Sequence, residues 1–427
     1  MGCRNPGTRE CIQAAWVPSR PDGINGNRLI RRMRNANRST PMSLKKSVLA
    51  ACLILILVAG LGALWWIGQG VSPPTENGSP RDALAAWLKE TEQFFPREMK
   101  AKPFAFPRDH GPHPDAPLEA WEFSGTLATP EGRQFGFQWS LFRLGLRPDE
   151  PQRKSAWATR EVYRGLFTVS DEADRRFHSF ERFSRAALGL AGSEALPQRI
   201  WLENWTMAVS QAPGGTAVFD LSAASEDITL RLRLASIKTP VVPGDGGFLG
   251  QGGNNRLRAY FLSRLQAKGS VEINRVSHAV TGQAWLTRTW GSALPPGGQT
   301  ALNRYQIQLG DGREIVALQL HRRDDSAEPI NSGFWIEKDG HTKLMERDDL
   351  KIEATGHWTS VETDARYPVR WKILLPRERL ELDLLPLLED QEIKASQRTW
   401  SGAVRVTGRI DGSDSVSGSG FVDLSGY

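Results

Sequence analysis

Strict two-residue alternation runs through this chain and constrains its fold more than any other feature. Phe135, Phe137, Trp139 and Leu141 alternate with Gly136, Gln138 and Ser140. Ile228, Leu230, Leu232 and Leu234 alternate with Thr229, Arg231 and Arg233, and Leu380, Leu382 and Leu384 with Glu381 and Asp383. A period of two sends successive side chains to opposite faces, so each run reads as a strand with one face buried. The 41 glycines and 26 prolines punctuate these runs as turns, which points to a β-rich globular chain rather than disorder. At 427 residues the chain exceeds one small core, and two domains behind an N-terminal extension are predicted. One interior helix is predicted over Phe177–Leu190, where Phe180, Phe183, Ala187 and Leu188 fall at helical spacing and Gly189 or Gly192 would end it.

A repeat supports two domains. Glu131-Gly132-Arg133 and Asp311-Gly312-Arg313 are turn signals about 180 residues apart, followed by strands carrying Gln138 and Gln319. The division predicted is a leader over 1–47, an apolar helix over 48–67, a linker and short helix over 68–103, and domains over 104–270 and 271–427, with the boundary near Lys268–Asn274. The short helix starts at Ser79-Pro80, with a capping serine and a proline at the first helical position, and runs to about Phe94.

The net charge of +6 belongs to the leader. Residues 1–46 carry ten of the 54 basic and two of the 48 acidic residues, so the remaining 44 and 46 leave the rest at −2. No basic surface for nucleic acid is expected. Lys45-Lys46 precede Val48–Ile67, twenty uncharged residues that can span a bilayer as a helix. Positive residues on that side favour a cytoplasmic N-terminus. The expectation is a single-pass inner-membrane protein with its main body in the periplasm, or a periplasmic protein if the segment is a cleaved signal. Trp65-Trp66 resembles an interfacial anchor, and Met42 fits a true start. Leu49-Ala50-Ala51-Cys52 precedes its apolar run instead of following it, which argues against lipidation. Cys3, Cys11 and Cys52 are the three cysteines, so the body has no disulfide, thiolate metal site or cysteine nucleophile.

Three stretches invite chemistry. Phe106-Pro107-Arg108-Asp109-His110-Gly111-Pro112-His113-Pro114-Asp115 reads as an extended segment; its histidines and aspartates suit turn capping better than metal, and no metal or other cofactor is expected. Gly282–Ser292 reads as a strand with Trp285, Thr287 and Thr289 on one face and Leu286, Arg288 and Trp290 on the other. Gly/Pro-rich Thr239–Asn255 is a connection or a lid, and lacks the lysine–hydroxyl pair of a phosphate loop. There is no Gly-x-Ser-x-Gly, His-Glu-x-x-His or nucleotide fingerprint.

Several stretches in order resemble the AttH-type, lipocalin-like family that includes hydroxyneurosporene synthase (carotenoid 1,2-hydratase). They are 106–115, Phe-Gly-Phe-Gln-Trp-Ser-Leu-Phe-Arg at 135–143, Ala-Ala-Leu-Gly-Leu-Ala-Gly at 186–192, Ile-Trp-Leu-Glu-Asn-Trp at 200–205, 282–292, and the terminal Gly-Ser-Gly-Phe-Val-Asp-Leu-Ser-Gly-Tyr at 418–427. The resemblance implies a mainly β fold of two lipocalin-like antiparallel β-barrel domains, usually exported. It also implies an apolar or lipid-like ligand, and in some members an ABC transporter permease as partner. It further implies an aspartate acid on the 282–292 strand, where this chain has Thr287 and Thr289. A threonine hydroxyl cannot protonate an isolated double bond. The family's Glu-Trp-Trp-Tyr is here Glu119-Ala120-Trp121-Glu122, and a late Trp-Glu-Gly is Trp400-Ser401-Gly402.

The reading that follows is a membrane-anchored lipocalin-like binding protein or export accessory, with Trp121, Tyr260, Trp285, Thr287, Arg288, Trp290 and Tyr305 lining a pocket. Arg288 would meet an anionic head group. Against it stands a hydratase that adds water to an isoprenoid double bond, for which Asp109, His110, Glu119 and Glu122 are the available acids and bases. A third reading is a structural module that binds a partner by strand addition.

Overall fold

A computed structural model describes residues 94–95, 102–149, 155–244, 246–249, 257–291, 300–322 and 329–427. The leader, the apolar span 48–67 and the helix predicted from Ser79 lie outside the described residues, apart from Phe94 at its end. Among the described residues no helix is long and apolar enough to cross a membrane.

The described chain forms two antiparallel sheets. The first contains β1 (Leu118–Ala128), β2 (Gln134–Gly145), β3 (Glu161–Asp171), β4 (Arg176–Arg185), β5 (Ala191–Ala195), β6 (Gln198–Leu202), β7 (Trp205–Gln211), β8 (Ala217–Ser225), β9 (Ile228–Ser236), β10 (Phe248–Leu249), β11 (Leu257–Ile273) and β12 (Val276–Gly291). The second contains β13 (Thr300–Leu309), β14 (Glu314–Arg322), β15 (Ile330–Ile336), β16 (Thr342–Met345), β17 (Lys351–Thr359), β18 (Arg366–Leu375), β19 (Leu380–Pro386), β20 (Glu392–Ile393), β21 (Thr399–Ile410) and β22 (Asp414–Ser425). The strand order is 4-3-2-1-12-11-9-8-7-6-5 in one and 16-15-14-13-22-21-19-18-17 in the other, with β10 on β11 and β20 on β21. In each, the first strand pairs with the last, and the sheet curls into a barrel around its own apolar core. The free edges of the first barrel meet through side chains. The Phe167 and Trp205 rings lie 5.7 Å apart, and Tyr163 Oη, which donates to Glu161 Oε2 at 2.8 Å, accepts from Ser193 Oγ at 3.0 Å.

The sequence repeat is a structural repeat. The Thr129 amide donates to the Arg133 carbonyl and the Gly132 amide to the Thr129 carbonyl; Leu309, Arg313 and Gly312 repeat both bonds. Gly132 and Gly312 have φ of 93° and 94°, a left-handed conformation that glycine adopts without a Cβ penalty. The registers coincide too: Trp121 pairs with Leu141 and Phe123 with Trp139, and 180 residues on (131 to 311) Ala301 pairs with His321 and Asn303 with Gln319.

Two expectations are corrected. Phe177–Leu190 is not a helix: Arg176–Arg185 is β4, paired along its length with β3 from Asp171↔Arg176 to Val162↔Arg185. Phe180 stacks on Phe167 at 5.8 Å, so ladder pairing outweighs the helical spacing of the phenylalanines. The boundary near Lys268–Asn274 falls inside the β11–β12 hairpin, whose two-residue turn puts Asn274 and Arg275 at φ of 51° and 67°. The first sheet runs on to Gly291, and the second begins at Thr300. The segment over 106–115 also holds a 3-10 turn at Arg108–His110. Of the 239–255 connection, Val241 bridges to Phe261 and β10 lies on β11.

The barrels pack along a seam with a buried charged centre. Glu314 of the second barrel is fully buried and accepts from Lys238 Nζ at 2.7 Å and Arg264 Nε at 2.5 Å, both from the first. Removing one member of such a cluster strands the others without compensation. Glu314→Ala is expected to cost roughly 3–5 kcal/mol and to split a single thermal transition into two, as seen by calorimetry.

Candidate functional site

The segment 102–117 closes the mouth of the first barrel, and most of the predicted site residues hold it there. Arg143 Nη2 donates to the carbonyls of His113 and Ala116 at 2.8 and 2.7 Å, and Arg288 Nη2 to that of Gly111 at 2.8 Å. Trp121 Nε1 donates to the His110 carbonyl at 3.0 Å, and Gln198 Nε2 to that of Pro107 at 2.8 Å. These donors take up carbonyls that an irregular buried segment would otherwise leave unpaired.

Glu119 is the centre of this lock. Its side chain is fully buried, 3.3 Å from Arg288 Nη2, 3.5 Å from Arg143 Nε and 3.4 Å from His113 Nδ1, and it accepts the backbone amide of His113. Burial works to raise its pKa; Arg143, Arg288 and the His113 contacts outweigh burial and bring it down to about 2. Arg288 lies 3.8 Å from the Trp121 ring centre, and His113 stacks on Trp290 at 3.9 Å. A carboxylate held charged by two guanidiniums is a structural anion, not a proton donor.

Asp109 is buried in the same segment and accepts from the Ala105 amide and Arg108 Nε, each at 2.8 Å. Its pKa lies well below the ordinary carboxylate value, because these bonds and His113 outweigh burial. His110 Nδ1 lies 2.6 Å from Tyr260 Oη, among Phe106 and Phe219. Burial, aided by Arg288, lowers His110 to about 4, and burial raises Tyr260. The pair is therefore a neutral imidazole accepting a phenol proton.

The remaining predicted residues lie elsewhere. Trp285 belongs to an apolar seam cluster with Phe261, Val316 and Ile336, and Thr287 Oγ1 accepts from Gln306 Nε2 at 2.9 Å. Glu122 lies on the same seam, bonded to Arg304 at 3.1 and 3.3 Å. Tyr305 packs in the second barrel, 5.6 Å from Trp371. The proposed pocket wall is thus divided among a lock, a seam and a second core. The strand alternation expected for 285–290 holds, but its two faces serve two different barrels' contacts. Among the described residues no group of three or more His, Cys, Asp or Glu is placed to hold a metal.

An open site exists in the second barrel, where the sequence reading placed none. A cavity of about 510 Å³ opens at its mouth. Ile352, Ala354, Pro368 and Trp371 form an apolar wall, and Asn303, Gln319, His321 and Tyr427 a polar one. Its origin is visible in the repeat. At four matched interior positions the first barrel carries Trp121, Phe123, Trp139 and Leu141, all fully buried. The second carries Ala301, Asn303, Gln319 and His321, all at the cavity. The signal was in the sequence, since the Glu131-Gly132-Arg133 and Asp311-Gly312-Arg313 turns fix the offset of 180 that aligns these positions.

The neutral state of His110 gives the lock an acid-sensitive component. A histidine lowered to about 4 from 6.5 contributes its full share of stability above pH 6.5, and that share is lost as pH falls through 4. The slope is about 1.4 kcal/mol per pH unit over that window. Asp109 and Glu119, also lowered, lose their contributions at lower pH still. His110→Gln is expected to flatten stability between pH 6.5 and 4, measured by urea unfolding across pH; an unchanged slope would refute the assignment.

None of the curated proteins compared matches the chain in sequence. A crystal structure assigned to AttH from Nitrosomonas europaea is 27% identical, with a TM-score of 0.67 over 78% of this chain and 99% of that one. Kievitone hydratase from Nectria haematococca is 14% identical, with a TM-score of 0.57 over 78% of this chain and 97% of that one. CghA is also 14% identical, with a TM-score of 0.52 over 78% and 96%. At 14% identity the last two likenesses establish the fold alone. The AttH-like family model matches residues 97–427, and the chain belongs to that family.

Proposed function

We propose that this AttH-like protein is a lipocalin-like binding protein whose apolar or amphipathic ligand occupies the second barrel. The observation that carries this reading is the exchange at the four matched interior positions. The same fold is filled by aromatic side chains in one copy and left open in the other. Removing bulk from an interior leaves an opening that a packed protein does not otherwise keep. Trp371 and Ile352 supply apolar surface to bury, at about 0.8 kcal/mol per CH₂ group of ligand. The polar wall sets which end of the ligand enters first.

A hydratase reading draws on the fold shared with kievitone hydratase and on the family's acid position. That position is Thr287 here, hydrogen-bonded within a seam whose void is only about 10 Å³. A void of that size holds one water at most and no isoprenoid, so binding is the better-supported reading. The proposed placement remains the outer face of a bacterial inner membrane, held by residues 48–67, as a companion to an ABC-type export permease.

The test is to fill the open barrel. Asn303→Phe with Gln319→Trp installs the residues of the first barrel at matched positions. The full-length protein is expected to carry co-purifying lipid and to enhance N-phenyl-1-naphthylamine fluorescence. The double variant should lose at least roughly tenfold in probe affinity, about 1.4 kcal/mol, with its melting temperature maintained. A wild-type protein that extracts lipid-free and ignores the probe would sink the reading.

A further inference from the structure

The polar wall of the second barrel contains a hydrogen-bond chain whose direction is fixed at both ends. At one end Gln319 Nε2 donates to the Ile352 carbonyl at 3.3 Å, which leaves Oε1 to accept from Asn303 Nδ2 at 3.1 Å. Asn303 Oδ1 is then an acceptor, 2.9 Å from Tyr427 Oη. At the other end His321 Nδ1 faces the Arg322 carbonyl at 3.1 Å. A carbonyl can only accept, so Nδ1 carries the proton and Nε2 of the neutral ring is bare. That Nε2 faces the same Tyr427 hydroxyl at 3.1 Å.

Tyr427 therefore has one proton and two acceptors, Asn303 Oδ1 and His321 Nε2. Flipping the amides does not relieve this, because it would turn the Gln319 oxygen against the Ile352 carbonyl. One further proton on Nε2 completes the chain: the imidazolium donates to Tyr427, and Tyr427 donates to Asn303. Among the described residues the cavity is also lined by three basic side chains, His321, His357 and Arg366, and by no acidic side chain.

We infer that the second barrel takes a long-chain carboxylic acid, its head group at the Tyr427–His321 end and its chain along Trp371 and Ile352. The inference rests on the reading of this cavity as the ligand site and adds the ligand's class. The step balances. A neutral acid gives its proton to His321 Nε2 and stays as the carboxylate beside the imidazolium; a carboxylate arriving as the anion draws that proton from the buffer. The titratable and charged groups sharing the cavity with His321 are Tyr427, His357 and Arg366, and the main-chain oxygen of Tyr427 accepts from Arg398 Nη2 at 3.0 Å. An alcohol or ester brings no charge to pair with these groups.

The experiment is isothermal titration of the full-length protein with dodecanoate and with methyl dodecanoate, at mildly alkaline pH, in two buffers of different ionisation heat. Dodecanoate is expected to bind at least roughly tenfold tighter than the ester, with uptake of about one proton per molecule bound. His321→Gln should abolish the uptake and weaken dodecanoate by about tenfold while leaving the ester unchanged. Tyr427→Phe should weaken the acid alone. Ester binding by each variant reports an intact cavity. Equal affinity for acid and ester in the unmodified protein, or proton uptake that persists in His321→Gln, overturns the inference alone. If neither probe binds, the ligand-site reading of the cavity falls with it.

Discussion

In each barrel a ladder joins the first strand to the last, β1 to β12 and β13 to β22, and that pairing dictates where every neighbouring side chain must go. In the first barrel it aligns Leu118 with Gly291 through Ala128 with Thr281. The inward positions of these two strands build the core, and their outward positions become the seam. Side chains such as Ser124, Thr287 and Gln306 are thereby buried although they point away from their barrel. Each finds a partner across the seam: Ser124 Oγ donates to Gln306 Oε1 at 3.1 Å, and Gln308 Nε2 donates to the Ser263 and Ala284 carbonyls at 2.7 and 3.0 Å. Buried amides and hydroxyls are tolerated there because they are satisfied in pairs.

The same pairing, used twice, gives one filled barrel and one with a cavity at its mouth. The first barrel is filled by its aromatic interior and sealed by a segment pinned through Glu119, Arg143 and Arg288. Burying three charges is favourable only where each finds its counter-charge or a carbonyl, and this cluster supplies both. The second barrel keeps the ladder and the turn but exchanges bulk for amides and a histidine. Duplication with divergence at a few interior positions is enough to turn a packed core into a cavity, since the backbone is held by ladder bonds that these side chains do not make.

Much of the fold was legible from alternation alone, because a period of two names both the strand and its buried face. The 131–133 and 311–313 turns located the repeat, and the terminal residues carried the family resemblance. The misreadings have physical causes. Phe177, Phe180 and Phe183 are spaced as on a helix, yet β4 gains a full ladder with β3. The 268–274 break looked like a boundary because a two-residue hairpin of Asn274 and Arg275 uses the same kind of residues as a linker. Trp121, Arg288 and Trp290 meet in the structure, but no sequence pattern says whether aromatics surround a ligand or fill the space themselves. Tyr427 and His321, more than a hundred residues apart, are joined only by the β13–β22 and β13–β14 ladders.

The threonine at 287 takes on a different meaning in this light. From sequence its missing carboxylate argued against catalysis in a pocket. In the structure, position 287 faces a packed seam, where an ionised aspartate would meet Gln306 and Ser124 with little space for water. Such a charge needs a cation beside it, and the seam's cations are already committed, Arg304 to Glu122 and Asp423, and Lys238 and Arg264 to Glu314. A neutral hydroxyl that accepts one bond from Gln306 fits this site; a carboxylate would demand that the seam open. A neutral side chain at 287 and a packed seam thus require one another. The open space lies instead in the second barrel, where amides, a histidine and a tyrosine face Trp371 and Ile352 across the cavity above its apolar core.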